Sequence, residues 1–221
     1  FLIKPKSSLG IIGVTGSGKT TALKLITRSY NISSGEILLD DHSLNKIDLT
    51  HLRKNIGVVP QDSFLFSDTI INNIRFGNEK VSKKEIEEVC KIAGIHKEIL
   101  KFKDQYNTML GERGVNLSGG QKQRVCIARA LVKKPKILIL DDCLSALDTE
   151  TEEKIIKSLN KYIKDTTTII SSHRISSIQN LDKIIVLNDG KVIQKGSHQE
   201  LINENGYYKQ LYFKQLTEKE D

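Results

Sequence analysis

Apolar residues fall along this chain in two patterns: short unbroken runs, and longer stretches where they recur every three or four positions. The runs at residues 9–12, 37–39, 56–59, 137–140, 168–171 and 184–187 are predicted strands, because they are rich in Ile, Val and Leu and too short for helices. Their alternation with amphipathic helices predicts an α/β fold, a mostly parallel sheet covered by helices. Two helices carry start signals. Ser82 with Glu85, and Thr149 with Glu152, match the capping box, whose side chains satisfy orphan amides of the first turn. The second helix leads with Glu150, Glu152 and Glu153 and trails with Lys157, Lys161 and Lys164, an order that complements the helix dipole. Residues 62–134 hold no strand-like run and read as a helical insertion between two parts of the sheet domain, 1–61 and 135–221. Asn188-Asp189-Gly190 predicts a tight hairpin.

Composition narrows the classes. With 221 residues, 38% of them apolar, the chain can bury one core, and it contains no internal repeat or low-complexity segment. Its apolar runs fall far short of the ~20 residues that cross a bilayer, so a soluble chain is expected. Phe1-Leu2-Ile3-Lys4-Pro5 lacks the features of a secretion signal and no Met opens the chain, so a piece of a longer protein is expected. Cys90, Cys126 and Cys143 form neither an even disulfide set nor a CxxC pair, and read as free thiols in a reducing compartment. A net charge of +7 raises nucleic acid or an anionic membrane as partners. However, the lysines are dispersed, as in Lys83-Lys84 and Lys133-Lys134-Lys136, and 5% aromatics gives few platforms for stacked bases. Solvated faces are the better reading, without a nucleic-acid partner.

Chemistry enters at Gly13-Val14-Thr15-Gly16-Ser17-Gly18-Lys19-Thr20, a phosphate-binding loop pattern between an apolar strand and a helical run. Its glycines permit backbone angles and approaches that a side chain would forbid, so successive amides can converge on phosphate oxygens at a helix N-terminus. Gly13, Thr15, Gly16, Ser17, Gly18, Lys19, Thr20 and Thr21 are candidate nucleotide ligands. Lys19 faces the terminal phosphates and the Thr20 hydroxyl is a candidate Mg²⁺ ligand. A glycine-rich turn with no ligand is the alternative, and the strand and helix on either side weigh against it. Downstream, the strand at 137–140 ends in Asp141-Asp142. Asp141 is placed to hold Mg²⁺ and Asp142 to polarise an attacking water. Taken without the loop, the two would read equally well as turn aspartates at the surface.

Leu117-Ser118-Gly119-Gly120-Gln121, followed by Lys122-Gln123-Arg124, resembles the signature motif of the ATP-binding-cassette (ABC) ATPases. Ser118 can cap a helix whose first amides are bared by Gly119 and Gly120, which makes an anion site. The resemblance implies a RecA-like phosphate-loop NTPase core with an inserted α-helical subdomain. It also implies that Ser118, Gly119, Gly120 and Gln121 bind the γ-phosphate held by a second such domain, in a head-to-tail dimer with two ATP molecules and Mg²⁺ sandwiched between. By the same resemblance Gln61 senses Mg²⁺ and water, and Ser145-Ala146-Leu147-Asp148 is the loop that crosses the dimer interface. His173, after the strand at 168–171, is the switch histidine that contacts the γ-phosphate and holds the water in line.

The resemblance covers essentially the whole chain. Gly111-Glu112-Arg113-Gly114 and Phe64-Leu65-Phe66-Ser67-Asp68-Thr69-Ile70 are similar to exporter segments that meet the transmembrane coupling helices, which implies a motor domain at the cytoplasmic face of a membrane exporter. Cassettes associated with nucleic acid carry a coiled-coil insertion or tandem cassettes, and fit less well. An ATP-gated module that does not hydrolyse would share every binding residue and differ only in turnover. Three departures stand out. Met109 occupies a position that is acidic in many exporters. The family's leading strands, with the aromatic that stacks on adenine, and the transmembrane domain are absent from the sequence. Asp142 stands where strongly hydrolytic members carry glutamate, and its shorter side chain sets the carboxylate roughly 1.5 Å back. That departure implies slow hydrolysis and the degenerate-site half of a heterodimeric exporter, with a homodimer tolerating Asp142 as the alternative.

Overall fold

The computed structural model describes residues 1–162 and 165–218, with only the backbone described at 149 and 160–162. Lys164 and the side chain of Lys161, two of the predicted trailing lysines, lie outside the described residues. The chain opens with β1 (Ser8–Ile12), α1 (Lys19–Ile26), the short pair β2 (Leu38–Leu39) and β3 (His42–Ser43), α2 (Leu49–Asn55) and β4 (Ile56–Val59). Helices α3 (Ile70–Arg75), α4 (Lys83–Ile92), α5 (His96–Ile99) and α6 (Gly119–Leu131) follow. The chain then returns to the sheet through β5 (Ile137–Asp141), α7 (Thr149–Tyr162), β6 (Thr167–Ser171), β7 (Lys183–Asn188) and β8 (Lys191–Gly196), and closes on α8 (His198–Asn203) and α9 (Tyr207–Thr217).

The six-stranded sheet is ordered β4-β5-β6-β1-β7-β8 and is parallel except for the β7–β8 hairpin. Its inner strands carry apolar side chains at successive positions, as in Ile11-Ile12, Ile137–Leu140, Ile169-Ile170 and Ile184–Leu187, because both faces are covered. Leu138 and Leu140 of β5 pack into one buried cluster with Ile12, Ile170 and the helices of 70–131, while Ile139 between them joins Leu23, Leu52 and Leu187 on the other face. Register aligns the carboxyl ends of four strands: Leu140 pairs with Val59 and with Ile170, and Ser171 with Asp141 and with Ile11. Loops leaving β1, β4, β5 and β6 therefore open on one edge, the usual ligand crevice of such sheets.

Among the described residues of 62–134 no strand occurs, as the pattern predicts; Thr69 and Met109 form one isolated antiparallel bridge. Ser82 and Glu85 form their capping box. The box predicted at Thr149 rests on a side chain that lies outside the described residues. Asp148 Oδ1 accepts the Thr151 amide at 2.9 Å at the start of α7, and the Glu152 carboxylate is drawn inward to Arg174 and Ser177. The strand predicted at 37–39 is Leu38–Leu39, and Asp40 and Asp41 turn the chain into β3 at positive φ (48° and 63°). At the β7–β8 hairpin Asp189 and Gly190 both take positive φ (46° and 73°), as a two-residue turn requires. All three cysteines are buried free thiols. Among the described residues no helix is long and apolar enough to cross a membrane.

Candidate nucleotide site

β1 leads directly into the glycine-rich loop. A Cβ on Gly13 would lie 2.2 Å from the Leu187 carbonyl oxygen and 2.7 Å from Ser17 Oγ, so only glycine fits there. Gly16 and Gly18 take φ of +82° and +101°, the left-handed region that glycine enters without strain. The hairpin turn braces the loop, with the Gly190 amide donating to Ser17 O at 3.0 Å. Thr15 and Gly16 are exposed at the loop tip, and Thr21 is exposed in the first turn of α1. Gly18 caps α1 without any side-chain hydrogen bond, which leaves the helix's first amides and positive dipole end bare toward the loop. Lys19 is only 6% exposed, and its Nζ donates to Gly13 O at 2.8 Å and Val14 O at 3.0 Å. Burial lowers the pKa of this ammonium, while the carboxylates of Asp142 and Asp141 pull the other way. Ser17 Oγ is buried without a hydrogen-bond partner.

Asp141 and Asp142 follow at the end of β5. Asp141 Oδ1 accepts from Thr20 Oγ1 at 3.2 Å and from Ser171 Oγ at 2.6 Å. The Asp142 amide donates to Ser171 O at 3.0 Å and reaches Ser171 Oγ at 3.1 Å. Ser171 thus positions both aspartates, a role that the sequence reading missed; its one signal is a serine ending a buried strand just before His173. Asp142 is buried, with Oδ2 3.9 Å from His173 Nε2. Burial raises its pKa, opposed by His173 and Lys19 and reinforced by Asp141. Gln61 is exposed two residues past β4, at the same edge of the sheet.

The signature residues sit on a different element. Ser118 caps α6 in a full capping box with Gln121, whose Nε2 donates to Glu98 Oε2 at 2.8 Å. Glu98 also pairs with Arg124 at 2.5 Å and so fixes the start of α6 from α5; no local pattern announced it. A Cβ on Gly120 would lie 3.0 Å from Leu147 and 3.5 Å from the Ala146 carbonyl, which puts the motif against the 145–148 loop. Ser118 and Gly119 are exposed, and a Cβ on Gly119 would meet nothing within 4 Å.

The two segments compared above to coupling contacts pack together. Leu65 lies 3.1 Å from where a Cβ on Gly114 would stand, and the Leu110 amide donates to Asp68 O at 3.0 Å. Phe64, Phe66, Phe76, Met109 and Val115 are large apolar side chains left exposed on this part of the chain.

A mostly parallel sheet carrying a phosphate loop at its carboxyl edge, with an acidic pair beside the loop's hydroxyl, defines a phosphate-loop NTPase domain. The chain belongs to the ABC transporter family, whose model matches residues 1–145. It is 51% identical over 219 residues to the multidrug resistance-like ATP-binding protein MdlA of Buchnera aphidicola, covering 99% of this chain and 38% of that protein. It is 45% identical over 212 residues to ATP-binding cassette sub-family B member 6 of Mus musculus, covering 96% of this chain and 25% of that one. A solved structure of a bacterial Atm1-family ABC exporter with ATP bound matches with a TM-score of 0.95 at 41% identity, over 97% of this chain and 38% of that chain. The chain therefore spans well under half the length of these relatives.

Proposed function

We propose that this chain is the ATP-binding and hydrolysing motor domain of a membrane exporter, working at the cytoplasmic face as one of two such domains that close around ATP. The observation that carries the reading is the convergence of Lys19, Thr20, Asp141, Asp142 and His173 on one sheet edge, tied by the contacts of 3.2 Å (Thr20 to Asp141) and 3.9 Å (His173 to Asp142). A triphosphate fits the loop: the first amides of α1 are bare and the buried Ser17 Oγ has no partner. Mg²⁺ fits Thr20 Oγ1 and Asp141 Oδ1, two hard oxygens close enough for one ion that keeps most of its remaining ligands as water and phosphate. Bound there, Mg²⁺ supplies charge neutralisation on the phosphates. Lys19 exchanges its loop carbonyls for phosphate oxygens, Asp142 accepts a proton from the attacking water, His173 holds that water in line, and Gln61 reports on both from the neighbouring strand end.

Residues 1–61 and 135–221 make the core of this reading, and 62–134 the helical subdomain that presents Ser118, Gly119, Gly120 and Gln121 to the partner's ATP. The open face over Gly119 supports that assignment. The Leu65–Gly114 contact and the exposed aromatic side chains beside it support docking of transmembrane coupling helices there. The names of the relatives, a multidrug-resistance-like protein and an Atm1-family exporter, support export. Asp142 favours slow turnover at this chain's own site, since a displacement of about 1 Å can cost on the order of a hundredfold in rate. It also favours the degenerate half of a heterodimer, or at the limit an ATP-gated cassette that does not hydrolyse. The experiment is Ser118→Arg in the full-length transporter with its natural partner. Nucleotide binding by this chain stays, whereas ATP-driven closure and phosphate release at the partner's site are lost; lost binding by this chain would contradict the assignment.

A further inference from the structure

The backbone that carries His173 is gripped by a residue from the last helix. Gln215 of α9 accepts the Ile175 amide on Oε1 at 2.9 Å and donates from Nε2 to the His173 carbonyl at 2.7 Å. One planar amide thus bridges both sides of Arg174, and only this orientation of its oxygen and nitrogen satisfies both partners. Arg174 holds the same segment from the opposite direction: its amide donates to Ser172 Oγ at 2.9 Å, and its guanidinium reaches Leu147 O at 3.2 Å and Glu152 Oε2 at 2.5 Å. The His173 side chain itself is 39% exposed and stands 3.9 Å from Asp142, too far for a firm hydrogen bond. Its placement therefore depends on its backbone.

We propose that Gln215 is a positioning residue for His173, fixing the backbone from which the imidazole meets Asp142 and the γ-phosphate, and so making turnover depend on the seating of α9. The inference rests on the hydrolytic reading above. Gln215 is not needed to seat the helix. The start of α9 is anchored by Tyr208, which is fully buried, whose amide donates to Gln194 Oε1 at 3.0 Å and whose hydroxyl lies 2.8 Å from His198 Nδ1. Gln215 lies two turns further on, beside an open groove of about 410 Å³ between Ile175 and Tyr212, where water can replace its bonds. Losing it loosens the His173 segment and frees the His173 carbonyl and the Ile175 amide to bond water in that groove.

The test uses the full-length transporter in complex with a partner whose own phosphate site is disabled, so that only this site reports, comparing wild type, His173→Ala, Gln215→Met, Gln215→Glu and the His173→Ala/Gln215→Met double variant. Gln215→Met is expected to lower kcat about tenfold, less than the hundredfold that a full 1 Å misplacement can cost. The KM for MgATP and the melting temperature should be unchanged. Gln215→Glu keeps the acceptor for Ile175 but sets a carboxylate oxygen against the His173 carbonyl, and should fall further. The double variant should turn over no more slowly than His173→Ala alone, because Gln215 acts only through that ring. A wild-type rate in Gln215→Met beside an inactive His173→Ala overturns the inference and leaves the hydrolytic reading standing. Additive losses, or a parallel drop in melting temperature, reduce Gln215 to a structural contact and also overturn it. A wild-type rate in His173→Ala removes the hydrolytic reading, and the inference with it.

Discussion

Thr20 Oγ1 donates to Asp141 Oδ1 at 3.2 Å, although 121 positions separate the two residues. The strand that leads to Thr20 and the strand that ends in Asp141 are not neighbours, since β6 lies between β1 and β5. The first turn of α1 leans across the end of β6, and Ser171 at that end bonds the same carboxylate oxygen at 2.6 Å. A hydroxyl and a carboxylate are thereby set side by side, the donor set that a hard cation selects.

Asp141→Asn keeps the shape of that site and removes its charge. The affinity for ATP without Mg²⁺ is expected to stay, while the gain on adding Mg²⁺ shrinks by about tenfold or more, given that even outer-shell changes at metal sites cost about 10- to 100-fold. Paired titrations with and without Mg²⁺ check this, and an undiminished Mg²⁺ effect would remove Asp141 from the site.

Asp142→Glu restores the longer carboxylate. If reach limits turnover, hydrolysis at this site should rise about tenfold or more, within the roughly 10² to 10⁴ that a general base contributes. Turnover is measured in a complex whose other phosphate site is disabled, so that only this one reports. An unchanged rate with MgATP bound and the dimer formed would move the cause of slow turnover to the partner's signature motif.

Asp142→Asn tests the burial of the same group. Because burial raises its pKa in the folded chain, the native state holds the proton more tightly than the unfolded chain does. The stability this gives is fully present below the unfolded value and is lost as pH rises through the folded one. At neutral pH Asp142→Asn should therefore melt higher than wild type, with the difference vanishing below about pH 4. Melting curves across that range decide it; a lower melting temperature at neutral pH would mean that His173 and Lys19 outweigh burial.

Arg174→Met leaves Glu152, 1% exposed, without its cation. Removing one partner of a buried pair costs about 3 to 5 kcal/mol. Because Arg174 is 40% exposed, water screens part of this, and about 2 kcal/mol is expected, or roughly 4–8 °C in melting temperature for a domain of this size. Replacing both residues by apolar ones should recover most of that loss, and a melting temperature unmoved by Arg174→Met would show the pair to be idle.

The strands at 56–59 and 137–140 and the phosphate loop were legible because each is local: an apolar run between covered faces, or a backbone conformation only glycine takes. His173 was expected at the site from its place after a strand, together with the family resemblance, and the fold sets its ring 3.9 Å from Asp142. Contacts set by distant residues were not. Glu152 matched a capping box by spacing, yet its partners are Arg174 and Ser177, more than twenty positions on. Gln215 carries no motif and meets His173 only because α9 folds back across the 175–177 turn. Ser171 and Glu98 hold candidate site residues through bonds that no periodicity announces.

Binding of MgATP at Lys19 is the claim on which the rest depends. Titration calorimetry of the purified protein against its Lys19→Ala variant measures it directly, since the ammonium now held by Gly13 and Val14 is the one proposed to turn to the terminal phosphates. The wild type is expected to bind MgATP and the variant to lose tight binding. Equal affinities in the two would contradict the claim.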